Sequence, residues 1–190
     1  MGVRIIAGEL RGRRLLAPEG DATRPITDRV KQSLFDILQP SIAEAEVFDL
    51  FAGTGSMGLE CLSRGAKRAT FFEADRSAIA RLRSNIADLS VEARSRVIAG
   101  DLFRWFERTA KAGGESADLI FLDPPYRFLR ERAEEIRQLA GRLAGCLRPE
   151  GTVIFRHDAA DRLELPPLTR YDERVYGGMT LEFLRCDSSS

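Results

Sequence analysis

An α/β fold with a mainly parallel sheet is predicted by three features of this 190-residue sequence. From Val47 onward, short apolar runs alternate with amphipathic stretches. A glycine-rich turn follows the first of those runs. The chain then closes with two apolar runs joined by Gly177-Gly178. Repeated β-α units lay strands side by side in parallel with helices on both faces. The tight terminal turn instead predicts an antiparallel hairpin on that sheet.

The elements follow in order. Val3 to Ile6 and Arg14 to Leu16 are apolar stretches separated by Gly8 and Gly12, which reads as a small β-hairpin. Thr27 is placed to cap a helix whose Val30, Leu34, Ile37 and Leu38 share one face, ending before Pro40. A strand at 47–51, a helix at 56–64 stopped by Gly65, and a strand at 69–72 come next. Ile79, Leu82, Ile86 and Leu89 mark a helix over 76–89, followed by a strand at 96–99 and a helix from Leu102. Residues 119–122 form a buried strand, 129–146 a long charged helix, 152–155 a strand, and 170–176 with 179–184 the final hairpin. This divides the chain into an N-terminal hairpin-and-helix extension at 1–40, a main domain at 41–186 and a tail at 187–190.

With 44% hydrophobic and 31% charged residues, the composition is globular. The longest uninterrupted apolar run is Leu119 to Leu122, too short for a transmembrane helix or a signal-peptide core. Cys61, Cys146 and Cys186 are odd in number and widely spaced, and the chain has 1 histidine. Neither a zinc site nor a disulfide framework is expected, and a reduced, cytoplasmic setting is the simpler reading. The expected oligomeric state is a monomer. Bases and acids balance at 29 each, so overall charge gives no argument for a polyanionic partner. The head differs: from Met1 to Lys31, Arg4, Arg11, Arg13, Arg14, Arg24, Arg29 and Lys31 outnumber Glu9, Glu19, Asp21 and Asp28.

Asp49-Leu50-Phe51-Ala52-Gly53-Thr54-Gly55-Ser56-Met57-Gly58 puts glycines where a strand turns into a helix, so backbone can approach a ligand at the carboxyl edge of the sheet. Glu73 ends the next strand, placed to accept hydrogen bonds from ribose hydroxyls. These residues fit a nicotinamide dinucleotide or S-adenosylmethionine, and a turn used only for packing is the structural alternative. A P-loop is excluded because Leu59-Glu60 stands where Lys and Ser or Thr are required. Asp49 would repel a pyrophosphate but suits the cationic amino group of a methionine moiety. Its structural alternative is a cap or turn residue.

Asp123-Pro124-Pro125-Tyr126 follows the run Leu119 to Leu122. Two prolines fix φ and remove two backbone donors, leaving carbonyl acceptors beside a carboxylate. An exocyclic amine on a nucleobase is a poor nucleophile because its lone pair is delocalised into the ring. Hydrogen bonds accepted by Asp123 and the Pro124 carbonyl would favour a pyramidal nitrogen and aim its lone pair at an electrophile. Tyr126 offers a stacking face. A rigid Asp-Pro-Pro turn without chemistry is the alternative.

The Asp-Pro-Pro-Tyr motif downstream of the glycine turn resembles the amino-group N-methyltransferases that use S-adenosylmethionine. Arg4 to Gly8, Gly12-Arg13, Arg24 to Phe35 and Gly58 to Ala66 are more specifically similar to the bacterial 16S ribosomal RNA guanine-N2 methyltransferase family, over nearly the whole chain. The resemblance implies a Rossmann-like class I methyltransferase sheet. It also implies methyl transfer to a guanine N2 amine in 16S rRNA of the small ribosomal subunit, free or assembling, with no metal and no membrane. Asp49, Gly53, Thr54, Gly55 and Glu73 would then bind the cofactor, Asp101 would contact its adenine, and Asp123, Pro124, Pro125 and Tyr126 would hold the guanine. Arg11, Arg13, Arg14, Arg24, Arg29 and Lys31 would contact RNA. Cys61 and Arg156 depart from the family pattern, which has alanine and more often glutamate there. His157 is expected to be a structural or surface residue and not a catalytic base. The competing readings are a DNA adenine-N6 methyltransferase, which would need a target-recognition segment that this length does not provide, and a NAD-dependent oxidoreductase, which would leave Asp123 to Tyr126 unexplained.

Overall fold

Apolar side chains at helical spacing on α1, Asp28–Leu38, bury Leu34, Phe35 and Leu38, and the Thr27 hydroxyl caps the helix by accepting the Val30 N–H at 3.4 Å. The computed structural model describes residues 3–17, 26–109 and 115–186, so Arg24 and the expected tail at 187–190 lie outside the described residues. The chain divides into two compact units, Met1–Gly100 and Asp101–Ser190.

In the first unit, α1 leads through a short 3-10 turn, Gln39–Ser41, to β1, Glu46–Leu50. Then come α2, Ser56–Ser63; β2, Arg68–Glu73; α3, Arg76–Asp88; and β3, Ser95–Ala99. The strands are parallel in the order β3-β2-β1, with Asp49 opposite Phe71 and Glu73 opposite Ala99. Val47, Leu50, Phe71 and Phe72 of the strands, Leu59 of α2 and Leu82 of α3 are all buried. Such near-continuous apolar strands mark a parallel sheet covered on both faces.

The expected N-terminal hairpin is reduced to one antiparallel bridge, Arg4 to Arg14. Gly8 and Gly12 both sit at φ +83°, curling the chain between its arms, while the bonds Ile5 N–H to Arg13, Gly12 N–H to Ile5 and Leu15 N–H to Val3 hold the arms together. Ile5 and Leu15 are buried, so the segment docks by side chains and not by extending a sheet.

The second unit contains α4, Leu102–Thr109; β4, Ala117–Leu122; α5, Arg127–Glu131; α6, Ala133–Ala144; β5, Leu147–Asp158; β6, Leu168–Tyr176; and β7, Met179–Cys186. Its strands run β4-β5-β7-β6, with β4 and β5 parallel and β7 antiparallel to both neighbours, so the terminal hairpin is present. Of the strands named, three in the first unit and four in the second, all but β7 share the parallel sense of their own unit. The single helix expected over 129–146 is two helices, broken at Arg132, whose φ of −135° leaves the helical region. The Arg132 guanidinium lies 4.3 Å from the Phe103 ring centre and 4.8 Å from that of Phe128, while pairing with Glu135. Among the described residues, no helix is long and apolar enough to cross a membrane.

Candidate active site

The turn after β1 reverses the chain through Phe51, Gly53 and Gly55, at φ 59°, 56° and 82°. Its glycines divide their work. A Cβ on Gly55 would lie 2.4 Å from the Leu82 side chain, and one on Gly58 would lie 2.4 Å from the Phe71 ring, so these two permit α2 to pack closely. A Cβ on Gly53 would meet nothing within 4 Å. Gly53 is therefore the position facing open space, where a ligand could approach the backbone.

Two carboxylates frame this turn. Buried Asp49 accepts the Gly58 N–H at 2.9 Å, satisfying one of the unpaired donors in the first turn of α2. Half-buried Glu73 accepts the Gly53 N–H at 2.7 Å on one oxygen and the Ala74 and Asp75 N–H groups at 2.8 Å each on the other. A carboxylate has about four lone-pair sites. Glu73 is thus fixed by the backbone and retains acceptor capacity. Thr54 is buried and gives its carbonyl to Asn85 Nδ2 at 3.0 Å. Asp49, Gly53, Thr54, Gly55 and Glu73 accordingly belong to one assembly.

In the second unit, Asp101 caps α4, its Oδ1 accepting the Phe103 N–H at 2.9 Å, with the side chain otherwise exposed. At the carboxyl end of β4, Pro124 is buried, and the carbonyls of Pro125 and Tyr126 accept the Phe128 and Leu129 N–H groups at 2.8 and 3.2 Å. Those two acceptors start α5, so they are committed to the fold. The Asp123 carboxylate accepts Arg156 Nη1 at 2.9 Å, and Arg156 also bonds to Tyr126. Burial pushes the Asp123 carboxyl above the usual carboxylate range, and the Arg156 charge opposes that shift. Arg156 is the residue that sequence reasoning left aside. The signal was an arginine in the strand 147–158, flanked by the buried Phe155 and His157. His157 is fully buried, with Nδ1 2.7 Å from the Asp158 carbonyl and Nε2 3.5 Å from Glu182.

Of the basic head, Arg11, Arg14 and Arg29 are exposed. Arg13 is also exposed and donates to the Asp88 carbonyl. Lys31 corrects the expectation of an RNA contact: it is 2% exposed, and its Nζ reaches Glu60 at 3.0 Å, the Arg4 carbonyl at 3.0 Å and Ser56 Oγ at 3.1 Å. The reason is its place on α1, three and four residues before Leu34 and Phe35 on the buried stripe.

Comparison with known proteins follows the same architecture. Ribosomal RNA small subunit methyltransferase D of Escherichia coli (strain K12) is 40% identical over 125 residues, covering 66% of this chain and 61% of that relative. The chain thus matches less than two thirds of that relative's length. The Haemophilus influenzae protein of the same name is 40% identical over 132 residues, 69% of this chain and 68% of the relative. The solved structure of yhhF from Escherichia coli superposes with a TM-score of 0.80 at 33% identity, covering 98% of this chain and 99% of that one. Residues 3–185 match the family model described as conserved hypothetical protein 95, and the chain belongs to that family.

Proposed function

We propose that this protein is an rRNA methyltransferase that moves a methyl group from S-adenosylmethionine to the exocyclic N2 amine of a guanine in 16S rRNA. The observation that carries this reading is the Asp123 carboxylate at the carboxyl end of β4, held by Arg156 at 2.9 Å beside Tyr126. It is an acceptor suited to an amine and is followed by an aromatic face suited to a base. The names of the relatives support the rRNA methyltransferase class, and the motifs quoted above support the guanine N2 target.

The residues of the first unit fit the cofactor. Open space at Gly53 admits a ligand against the backbone, Glu73 has acceptor capacity for ribose hydroxyls, and Asp49 supplies negative charge for the methionine amino group. Asp101 is assigned to the adenine. When bound, the cofactor supplies a methyl group made electrophilic by its sulfonium. The chain's own task is alignment. Asp123 accepts a hydrogen bond from the guanine amine and Tyr126 stacks on the base, which must leave its own stack to enter. Arg156 fixes the Asp123 carboxylate, and its charge opposes the upward push of burial. The same burial that raises its proton affinity prepares Asp123 Oδ atoms to receive the amine proton.

Residues 1–40 are assigned as the RNA-contacting extension, through Arg11, Arg13, Arg14, Arg24 and Arg29, and residues 41–186 as the methyltransferase domain. The test is incubation with methyl-labelled cofactor and, separately, small ribosomal subunits, naked 16S rRNA and DNA, followed by nucleoside mapping. Label on guanine N2 in rRNA is expected. Label on DNA adenine, or on an rRNA position other than a guanine amine, would overturn the assignment.

A further inference from the structure

The basic N-terminal segment and the glycine turn are wired together by buried polar side chains. On one side, Lys31 of α1 donates from Nζ to the Arg4 carbonyl at 3.0 Å and to Ser56 Oγ at 3.1 Å. Its charge is met by Glu60 at 3.0 Å, which also accepts the Ile6 and Ala7 N–H groups at 2.8 and 3.0 Å. On the other side, Asn85 of α3 accepts the Leu16 N–H on Oδ1 at 2.8 Å and donates from Nδ2 to the Thr54 carbonyl at 3.0 Å. Lys31 and Asn85 are each 2% exposed.

Thr54 and Ser56 are the two neighbours of Gly55. Each arm of the N-terminal segment is therefore tied, through one buried side chain, to one flank of the residue at the centre of the turn. Gly55 itself has no slack, since a Cβ there would press on Leu82 of the same helix that carries Asn85. A buried ammonium or amide that loses a partner bears the desolvation cost of an unsatisfied polar group. A shift of the turn therefore cannot leave these links intact without moving the segment as well, and the reverse holds.

Resting on the cofactor reading above, we propose that Lys31 and Asn85 are positioning residues that couple occupancy of the glycine turn to the order of the RNA-contacting segment 3–17. Neither touches reacting atoms. Cofactor held against Gly53 fixes Thr54 and Ser56, which fixes the acceptors and donors that hold Arg4 to Ala7 and Leu16. By linkage, RNA held by the segment must tighten the turn around the cofactor by the same factor.

The experiment is amide hydrogen exchange on the full chain with and without S-adenosylhomocysteine, with calorimetry run in parallel to measure binding of that product. In the parent, bound product should slow exchange of the Ile6, Ala7 and Leu16 amides by about 5-fold, the low end of typical couplings. Asn85→Ala should abolish the slowing at Leu16. Ser56→Ala, which leaves Lys31 its bonds to Glu60 and Arg4, should abolish it at Ile6 and Ala7 without the risk of unfolding. The readout is the ligand-dependent change, which a merely structural role would not move. Product that binds the parent without slowing these amides, or slowing that survives both substitutions, would overturn the coupling and leave the cofactor reading standing. No binding of product to the parent would overturn the cofactor reading, and the coupling with it.

Discussion

Arg156→Met removes the cation from Asp123 while keeping an unbranched side chain in the buried strand β5. The bond lost is the 2.9 Å contact from Nη1, between a guanidinium 10% exposed and a carboxylate 28% exposed. A hydrogen bond to a charged group is worth about 1.5–3 kcal/mol. The loss falls toward the lower figure because the carboxylate retains some solvent, and without the cation burial pushes the Asp123 carboxyl further up. The direction is fixed: burial already pushes this carboxyl up, and Arg156 is what opposes burial. If Asp123 must be ionised to accept from the guanine amine, methylation falls as pH drops through its pKa. The acid limb of single-turnover methylation should then move to higher pH in Arg156→Met, with activity approaching the parent's in alkaline buffer. Arg156→Lys should restore part of the shift. Cofactor-product affinity, read by calorimetry, should stay at the parent value. A pH profile that merely scales downward, with its limb in place, would refute the role given to this pair.

The same geometry sets the outcome at other positions. Asp123→Ala should lower single-turnover methylation by about 10²–10³-fold with product affinity retained, whereas Glu73→Ala should weaken product binding in calorimetry. Arg13→Ala/Arg14→Ala should flatten the log-log salt dependence of RNA binding by roughly 0.7–0.9 per arginine, and an unchanged slope would remove them from the footprint. Lys31→Met should leave that slope unchanged but lower stability by about 1–3 kcal/mol in denaturant unfolding, because Glu60 loses one of its two buried cationic partners and keeps Arg64 at 2.8 Å. Burial pushes His157 down, but its bonds to Glu182 and the Asp158 carbonyl win and raise it; Glu182, pushed up by burial, is held low by His157 and Arg170. Glu182 therefore contributes stability above about pH 4.5 that is lost on acidification. His157 contributes stability fully present below about pH 6.5 and lost as pH rises through its elevated pKa. His157→Gln should flatten unfolding free energy across that range.

The parallel sheet was legible because its evidence is local. Runs such as Leu119 to Leu122 and the helical spacing of Ile79, Leu82 and Ile86 each reveal an element without reference to the rest of the chain. Element ends were less legible. β5 spans Leu147–Asp158 although only Thr152 to Phe155 reads as a strand, because Leu147 is held by pairing with Ala117, and Arg156 to Asp158 by pairing with β7, and not by propensity. The break at Arg132 is hidden because arginine is a good helix former; the aromatic faces that receive its guanidinium are Phe128, one turn before it, and Phe103, distant in sequence.

The site shows the same division more sharply. Glycines and prolines advertise themselves, because their chemistry is in the backbone, and so the turns at Gly53 to Gly55 and after Leu122 are legible from letters alone. Lys31 was misassigned because charge was read as surface, although its spacing to Leu34 and Phe35 already placed it on the buried face of α1. Arg156 and Asn85 were missed because a polar residue acquires its role from a partner remote in sequence: Asp123 lies 33 residues from Arg156, and Leu16 lies 69 from Asn85. Such residues can be found from sequence by one criterion, a charged or amide side chain at a position whose neighbours in the element's period are core. Applied here, that criterion selects Lys31 before Leu34 and Phe35, Glu60 after Met57, Asn85 between Leu82 and Leu89, and Arg156 after Ile154, all four of which are buried. A buried polar group must be partnered, so each of these positions predicts a tertiary contact, and in this chain the contacts hold the glycine turn, the N-terminal segment and the Asp123 carboxylate in place.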